Sequence, residues 1–581
     1  MKRIPLYIAA LLMASANFTA CSLDEVNMSS VDSGSYFKGE TEYEQLINEC
    51  YQAMRPLHRE TIPMWYGTDM YTRQGDINQA NRTPTNDYTV VGGDEYLGLW
   101  NYCYSLITKI NTALTRGENI PDVSESLKSQ RTAEIKAMRA YGYFILVENF
   151  GGVPIVLQES TTPTYEVSRA SEETVYQTIL DDLSDENIAA LPDKPSQEQF
   201  GRVTKGFAYH LLAKVYLTRS YKSYGNKNAD LTSCITNADK AIALHPLLTG
   251  TDAWTTLFGN YEISGVKVND DKTTEILYKD RKNPDQQNTE VIYSVMYSTD
   301  QTYNGGWGNN LYEHFKPTLD KLPGFSLKAG PYWCCDGTYQ PTAYYTQLFD
   351  ENDVRGKEQF LQRNIIAAAD DEKITAIKAG KPSIYCPRVA MTDAEKATYK
   401  ANHPTVQWVI NPDEYYVYLE GQNYNAFPVV WKFYDPNITK YLPTDQNPEG
   451  SRNTYVFRSA ETLLLKAEAL VQQGGGSSSA AKDLINQLRT RAGAAPLTKD
   501  ADLNDVLDES ARELFGEANR WMDLKRTGTL FERAWKHNPW TQKQYKSASE
   551  ISENCLVRPI PITEITYSNN TLEQNPGYPK N

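Results

Sequence analysis

The sequence predicts a mainly α-helical protein, in which a helical scaffold carries long irregular loops and a few short β-strands. Three observations support this fold class. Apolar residues recur at i, i+3, i+4 and i+7 in many segments, which is the spacing of one helix face. Two alanine-rich helix pairs occur, one before residue 246 and the other after residue 458. Between residues 250 and 450 the strand-like runs are short, and most aromatic residues lie in loops.

The N-terminus has the pattern of an export signal. Lys2 and Arg3 precede an apolar stretch at residues 4–13, and the small residues Thr19 and Ala20 precede Cys21. A cysteine at this point resembles the bacterial lipoprotein signal, in which the thiol is acylated; the alternative is an ordinary signal peptide with a chance cysteine. We predict a signal peptide at residues 1–20, lipid attachment at Cys21 and a polar tether at residues 21–39.

The first helix is predicted from an apolar stripe over residues 43–54 and should end at Pro56. Residues 59–94 have no helical period, and so long an irregular stretch inside a compact domain is usually functional or disordered; its aromatic residues argue against disorder. Further helices are predicted at residues 100–114 and 131–148, the latter ending before Gly151. Another should begin after Ser171, which has the properties of an N-cap.

Two helix pairs are predicted next. Residues 207–216 and 238–244 form an alanine-rich pair that resembles a tetratricopeptide hairpin, since small side chains allow close helix contact. A similar pair at residues 460–469 and 481–488 is joined by a glycine-rich turn. Because the pairs are separated and imperfect, the sequence favours a tetratricopeptide-like scaffold with large insertions over a regular solenoid.

Bulk composition excludes several classes of function. The chain has 581 residues and a net charge of −15, which argues against nucleic acid as a partner because phosphate binding needs basic patches. Without Cys21 seven cysteines remain, an odd number that does not indicate a disulfide framework, and Cys334-Cys335 has no second pair at zinc spacing. After Cys21 no segment approaches the ~20 apolar residues that cross a bilayer. The 40 tyrosines and 10 tryptophans favour a recognition surface.

Several blocks resemble the SusD/RagB family. They are AEIKAMRA (133–140), FGGVP (150–154), RSAETLLLKAEA (458–469), INQLRTRAG (485–493), ELFGEANRWMDLKR (513–526), PIPITE (559–564) and QNPGY (574–578). Their order is consistent over nearly the whole mature chain. Within these blocks we interpret Arg458, Glu461, Arg520 and Asp523 as members of scaffold ion pairs at helix ends.

The resemblance implies a SusD-like fold with an N-terminal helical domain at residues 40–250 and a C-terminal RagB/SusD domain with aromatic loop insertions at residues 251–581. It implies a cell-surface lipoprotein of the outer membrane that captures oligosaccharides. Its partner would be a TonB-dependent SusC-like transporter, to which the ligand is delivered. The acidic pair Asp24-Glu25 resembles the signal that sends such lipoproteins to the outer face.

The resemblance also indicates where a sugar would bind. An aromatic ring covers the apolar face of a sugar, while polar side chains bind the hydroxyls. Family members with known ligands place the site in the loop between the first two helices and in loops of the middle region. Carried over by region, this implies ligand contacts at Trp65, Tyr66, Asp69, Tyr71, Arg73, Trp307, Trp333 and Tyr339.

Three alternatives remain open. A surface glycoside hydrolase needs two carboxylates around the scissile bond, and the chain is rich in Asp and Glu. A peptide receptor on the same scaffold would bury Trp65 and Trp333, and a pure tetratricopeptide scaffold would bind only protein. Gly-x-Ser-x-Gly, phosphate-binding glycine loops, His-Glu-x-x-His and Asp-x-Asp-x-Asp-Gly are absent from the sequence. We therefore predict no enzymatic activity, no cofactor and no assigned metal.

Overall fold

The structure is a computed structural model. It describes residues 38–59, 66–73, 75, 77, 88, 94, 96–162, 164–268, 274–305, 308–319, 321–325, 339–419, 425–435, 450–517 and 520–579. The predicted signal peptide, Cys21 and nearly all of the tether lie outside these residues, as do Cys334 and Cys335.

Helices dominate the described chain, which confirms the predicted fold class. In chain order they are α1 Glu40–Gln52, α2 Met54–Arg59, α3 Leu97–Gly117, α4 Glu125–Phe150, α5 Glu172–Asp182, α6 Asp185–Ala190, α7 Lys205–Arg219, α8 Lys227–Leu244, α9 Ala253–Phe258, α10 Leu311–His314, α11 Ala343–Gln347, α12 Asp393–Asn402, α13 Ser459–Gln473, α14 Ser479–Arg491, α15 Leu503–Glu513, α16 Arg520–Arg526, α17 Leu530–His537, α18 Pro539–Gln544 and α19 Ile562–Tyr567. Within the described residues, no helix combines the length and apolar character needed to cross a bilayer.

The predicted end of the first helix is wrong. The helix ends at Gln52, and after Ala53 a second helix, α2, begins, in which Pro56 is the third residue. A proline is tolerated in the first turn because the N–H that it lacks would have no partner within the helix there. Helical structure therefore continues to Arg59.

Helix ends elsewhere follow the local signals. Ser171 caps α5 by accepting a hydrogen bond from the Thr174 amide (3.2 Å), as predicted. Helix α4 ends at Gly151, whose φ of 72° lies in the left-handed region that glycine adopts without strain. Almost every side chain in its second half is buried, so α4 lies at the centre of the N-terminal helices, between α3 and α5.

The two predicted helix pairs pack against each other. Helix α7 runs along α8, α8 packs on α13, and α13 packs on α14. Small residues lie at these contacts: Ala213 and Ala238 share a buried cluster with Ala469, and Ala460, Ala467 and Ala481 share another. The two separated repeats thus form one helical layer. The division of the chain at residue 250 stays a prediction.

Strands are short and join segments that are distant in sequence. They are β1 Tyr71–Arg73, β2 Ile263–Val268, β3 Thr274–Tyr278, β4 Val291–Val295, β5 Tyr339–Pro341, β6 Leu361–Gln362, β7 Asn364–Ile366, β8 Pro382–Tyr385, β9 Trp408–Val409, β10 Val429–Val430, β11 Thr454–Arg458, β12 Ser477–Ser478 and β13 Ala501–Asp502. The pairs β1–β5, β2–β3, β6–β10, β4–β11 and β12–β13 are antiparallel, and β7, β8 and β9 form one sheet.

All four residues that are predicted to form scaffold ion pairs form them in the structure. Arg458 binds Glu290 (2.5 Å) and Glu513 (3.1 Å), and Glu461 binds Lys214 (2.6 Å). The other two pairs are Arg520 with Asp69 (2.7 Å) and Asp523 with Arg526 (2.9 Å). All these side chains are buried, so the family blocks contribute ion pairs to the interior of the fold.

Candidate functional site

The two regions predicted to bind ligand meet in the structure. Strand β1, from the loop after α2, pairs with β5 from the middle region, with Arg73 opposite Tyr339 and Tyr71 opposite Pro341. The Thr342 amide donates a hydrogen bond to the Met70 carbonyl (3.0 Å), which extends the contact to the start of α11. A short sheet therefore joins a loop of the N-terminal region to a loop of the middle region.

Asp69 anchors this junction from inside the protein. Its carboxylate accepts two hydrogen bonds from Arg520 (2.9 and 2.7 Å) and one from Nε of Arg533 (2.7 Å). The side chain has no exposed surface. Burial opposes the charge, but the two guanidinium groups outweigh burial and lower the pKa of Asp69 far below its ordinary value. Asp69 thus stays ionised and fixes the loop to α16 and α17.

The tyrosines of the predicted site are also interior residues. Tyr66, Tyr71 and Tyr339 have at most 4% of their surface exposed. The rings of Tyr66 and Tyr339 lie 5.2 Å apart, and Tyr71 packs on Phe515 at 4.7 Å. This corrects the expectation of open ring surfaces at these positions, and the same holds for the Asp69 carboxylate. The physical reason is that the rings fill the space where β1 meets β5.

The remaining residues of the predicted site are either partly exposed or outside the described part of the chain. Arg73, at the end of β1, is partly exposed. Trp65, Trp307 and Trp333 lie outside the described residues.

Helix α2 links two segments of the predicted site, the one that contains Trp65 and the one that leads to Trp307. It leads into the segment that contains Trp65, and its Arg55 donates hydrogen bonds to the carbonyls of Met296 (2.9 Å) and Tyr303 (2.7 Å), just before Trp307. Tyr303 is 72% exposed, the largest exposure among the large apolar side chains of the described chain. Sequence reasoning missed this ring, although its position in the loop before Gly305 and Trp307 is a usable signal.

An open cleft of about 470 Å³ lies next to the junction, between α11 and α17. The rings of Tyr344 and His537 line it at a centroid distance of 4.2 Å. Burial lowers the pKa of His537 to about 4, so the imidazole is neutral at pH 7. The polar side chains of the lining are all exposed: Gln347, Asp413, Lys536 and Gln542. Neutral rings beside amide, carboxylate and ammonium groups suit a ligand that is rich in hydroxyls.

Metal coordination has no basis in the part of the chain that the structure describes, because no group of three or more His, Cys, Asp or Glu side chains there is arranged to bind an ion.

Comparison with known proteins gives one consistent answer. A family model described as "SusD family" matches residues 289–578, and a second model, "Starch-binding associating with outer membrane", matches residues 23–217. This chain belongs to the SusD family.

Relatives span most of the length of this SusD-family chain. The SusD-like protein P38 of Formosa agariphila is 24% identical over 88% of this chain and 89% of its own length. The starch-binding protein SusD of Bacteroides thetaiotaomicron is 24% identical over 81% of this chain and 76% of its own.

Solved structures agree on the fold. A laminarin-binding SusD-like protein superposes with a TM-score of 0.65 at 23% identity, covering 93% of this chain and 100% of its own. A surface glycan-binding protein A of Bacteroides thetaiotaomicron in complex with laminarihexaose superposes with a TM-score of 0.61 at 17% identity, with the same coverage. The tetratricopeptide-like SusD fold is confirmed.

Proposed function

We propose that this protein captures an oligosaccharide at the cell surface and delivers it to a TonB-dependent SusC-like transporter in the outer membrane, without catalysing a reaction. The observation that carries this proposal is the match of the whole fold to proteins that bind laminarin and laminarihexaose. The description "associating with outer membrane" of the matching N-terminal model supports the location. The lipoprotein-like sequence around Cys21 supports a lipid anchor that faces outward.

The aromatic loops form the proposed capture surface. Trp65, Trp307 and Trp333 supply rings, Tyr303 adds an exposed ring, and Arg73 supplies hydrogen-bond donors. The buried residues Tyr66, Asp69, Tyr71 and Tyr339 take a different role from the one that the sequence predicts, since they position the loops from below. Because each sugar contact exchanges bonds with water for bonds with protein, it contributes about 0.5–1.5 kcal/mol. Several rings together then give micromolar to millimolar affinity, on the order of −4 to −8 kcal/mol.

Replacing Trp65, Trp307 and Trp333 together by alanine should remove glycan binding, because the apolar faces of the sugars lose their platforms. Glycan arrays and calorimetry with the bound glycan measure the loss, and circular dichroism should show unchanged helical content. Leu277→Ala is the matched control, since Leu277 is 42% exposed but lies on β3 outside these loops. Unchanged affinity in the triple variant would place the capture surface elsewhere.

The enzyme and peptide-receptor alternatives give opposite results in two simple assays. Incubation of the purified protein with starch or laminarin should release no new reducing ends; a time-dependent release would favour a hydrolase. Binding to a peptide pool with no signal on a glycan array would favour the peptide receptor. Neither outcome is expected if exposed rings such as Tyr303 make the main contacts.

A further inference from the structure

A second cleft of about 390 Å³ lies on another side of the fold, between α3, the segment after α4 and α19. None of the described ligand residues predicted from the sequence lines it. Of the large apolar side chains that are exposed in the described chain, Tyr567 (67%) lines this cleft, and Leu157 (41%) and Tyr165 (57%) are chain neighbours of lining residues. Tyr567 thus presents an exposed aromatic ring at this cleft.

The floor of the cleft consists of ordered aromatic rings. Trp100 and Tyr104 lie one helical turn apart on α3 with ring centroids 4.9 Å apart. Trp100 also packs edge-on against Phe150 at 5.1 Å. The Tyr104 hydroxyl donates a hydrogen bond to the Pro154 carbonyl (2.8 Å), which fixes its ring. A ligand thus meets rings whose orientation is already set, so little ordering cost remains.

One carboxylate stands among these rings. Glu564 is the only charged side chain among the described residues that line the cleft. Trp100 lines the same cleft as Glu564, and no described lysine or arginine forms an ion pair with this carboxylate. Burial, together with the nearby Asp94 carboxylate, raises the pKa of Glu564 above its ordinary value. A carboxylate in this position lacks a cation, and a cationic ligand would supply one.

A row of neutral polar side chains completes the site. Asn101, Ser105 and Thr108 follow one another at i, i+4 and i+7 on the exposed face of α3, and all three line the cleft. An amide and two hydroxyls both donate and accept hydrogen bonds, as sugar hydroxyls require. A simple alkylamine would leave this row unused, so the cleft suits a ring that carries hydroxyls as well as an ammonium group.

We propose that this cleft is a second ligand site, which binds a hexosamine residue with a free amine. The apolar face of the sugar packs on Tyr104 and Tyr567, its ammonium pairs with Glu564, and its hydroxyls bind the polar row of α3. The site goes beyond the proposed capture of oligosaccharides by the aromatic loops and is separate from them. Failure of either proposal leaves the other intact.

Calorimetry on the mature protein tests this site with three trisaccharides: glucosamine, N-acetylglucosamine and glucose oligomers. The wild type should bind the free-amine form at least about tenfold more tightly than the acetylated form, since acetylation removes the charge that pairs with Glu564. Glu564→Gln should abolish this preference. Glu553→Gln is the control, because it removes the same charge from an exposed position outside the cleft.

Other outcomes overturn the proposal. Equal affinity for the free-amine and acetylated forms would exclude an ammonium at Glu564, as would a preference that survives in Glu564→Gln. Equally tight binding of a trilysine peptide would show that the site accepts an ammonium without a sugar. The triple tryptophan variant of the capture loops should keep the preference, which separates this site from the proposed capture surface.

Discussion

Glu513→Gln is expected to lower the free energy of unfolding by about 3–5 kcal/mol, a large fraction of the 5–15 kcal/mol typical of a folded protein. The Glu513 carboxylate lies between three arginines: it accepts from Arg458 (3.1 Å) and Arg355 (3.0 Å) and pairs with Arg491. All four side chains are at most 2% exposed. An amide in place of the carboxylate removes the charge and turns an N–H group toward a guanidinium.

Urea unfolding followed by circular dichroism measures this loss. Glu125→Gln is the matched control, because the Glu125 side chain is 93% exposed and its pair with Lys128 is 3.9 Å long. Its effect should stay within about 0.5 kcal/mol. A Glu513→Gln protein as stable as this control would mean that the neighbouring carboxylates Glu290 and Glu509 are sufficient to balance the arginines.

The same carboxylate gives a dependence on pH with a definite sign. The arginines lower the pKa of Glu513 from 4.5 to about 2 despite the opposing effect of burial. A depressed pKa contributes stability above the unfolded value, and this contribution is lost as the pH falls from about 4.5 to about 2. The wild type should therefore lose stability over this window more steeply than Glu513→Gln, which has no carboxylate at this position to protonate.

Helices of this fold are readable from the sequence because their signals are local. The apolar stripes, the Ser171 cap and the stop at Gly151 lie within a few residues of the ends that they determine. The family blocks likewise place Arg458 and Arg520 in the scaffold, as the structure confirms. Pro56 shows the limit of a local rule, since a proline ends a helix only when it lies beyond the first turn.

The candidate site is less readable because it depends on long-range pairing. The residue type is the same for Tyr71, which is 1% exposed, and for Tyr303, which is 72% exposed. Burial of Tyr71 follows from the pairing of β1 with β5 and from Phe515, which lies far along the chain. Likewise Glu564 and Trp100 belong to opposite ends of the sequence and meet only in the fold. Composition therefore predicts that rings are used for recognition, but not which of them.

Asp69→Asn is expected to have an effect of similar size on stability, about 3–5 kcal/mol, and to weaken glycan binding as well. From the sequence alone, the Asp69 carboxylate in the aromatic loop is a candidate for binding sugar hydroxyls. In the structure it binds Arg520 and Arg533 instead, which lie 451 and 464 residues away. Its replacement leaves two buried guanidinium groups without their shared carboxylate. The loop that continues into β1 loses its link to α16 and α17, so the proposed ring platform loses its support.

Measuring both stability and glycan affinity of Asp69→Asn distinguishes a residue that supports the capture loops from one that contacts the glycan. Asp508→Asn is the control, because Asp508 binds the same Arg533 (2.6 Å) but its side chain is 34% exposed, so its loss should cost less than about 1 kcal/mol. At a temperature where Asp69→Asn remains folded, its glycan affinity should fall although Asp69 has no surface for a ligand to touch. Wild-type affinity in the folded variant would contradict this, because the capture loops would then hold their geometry without the anchor at Asp69.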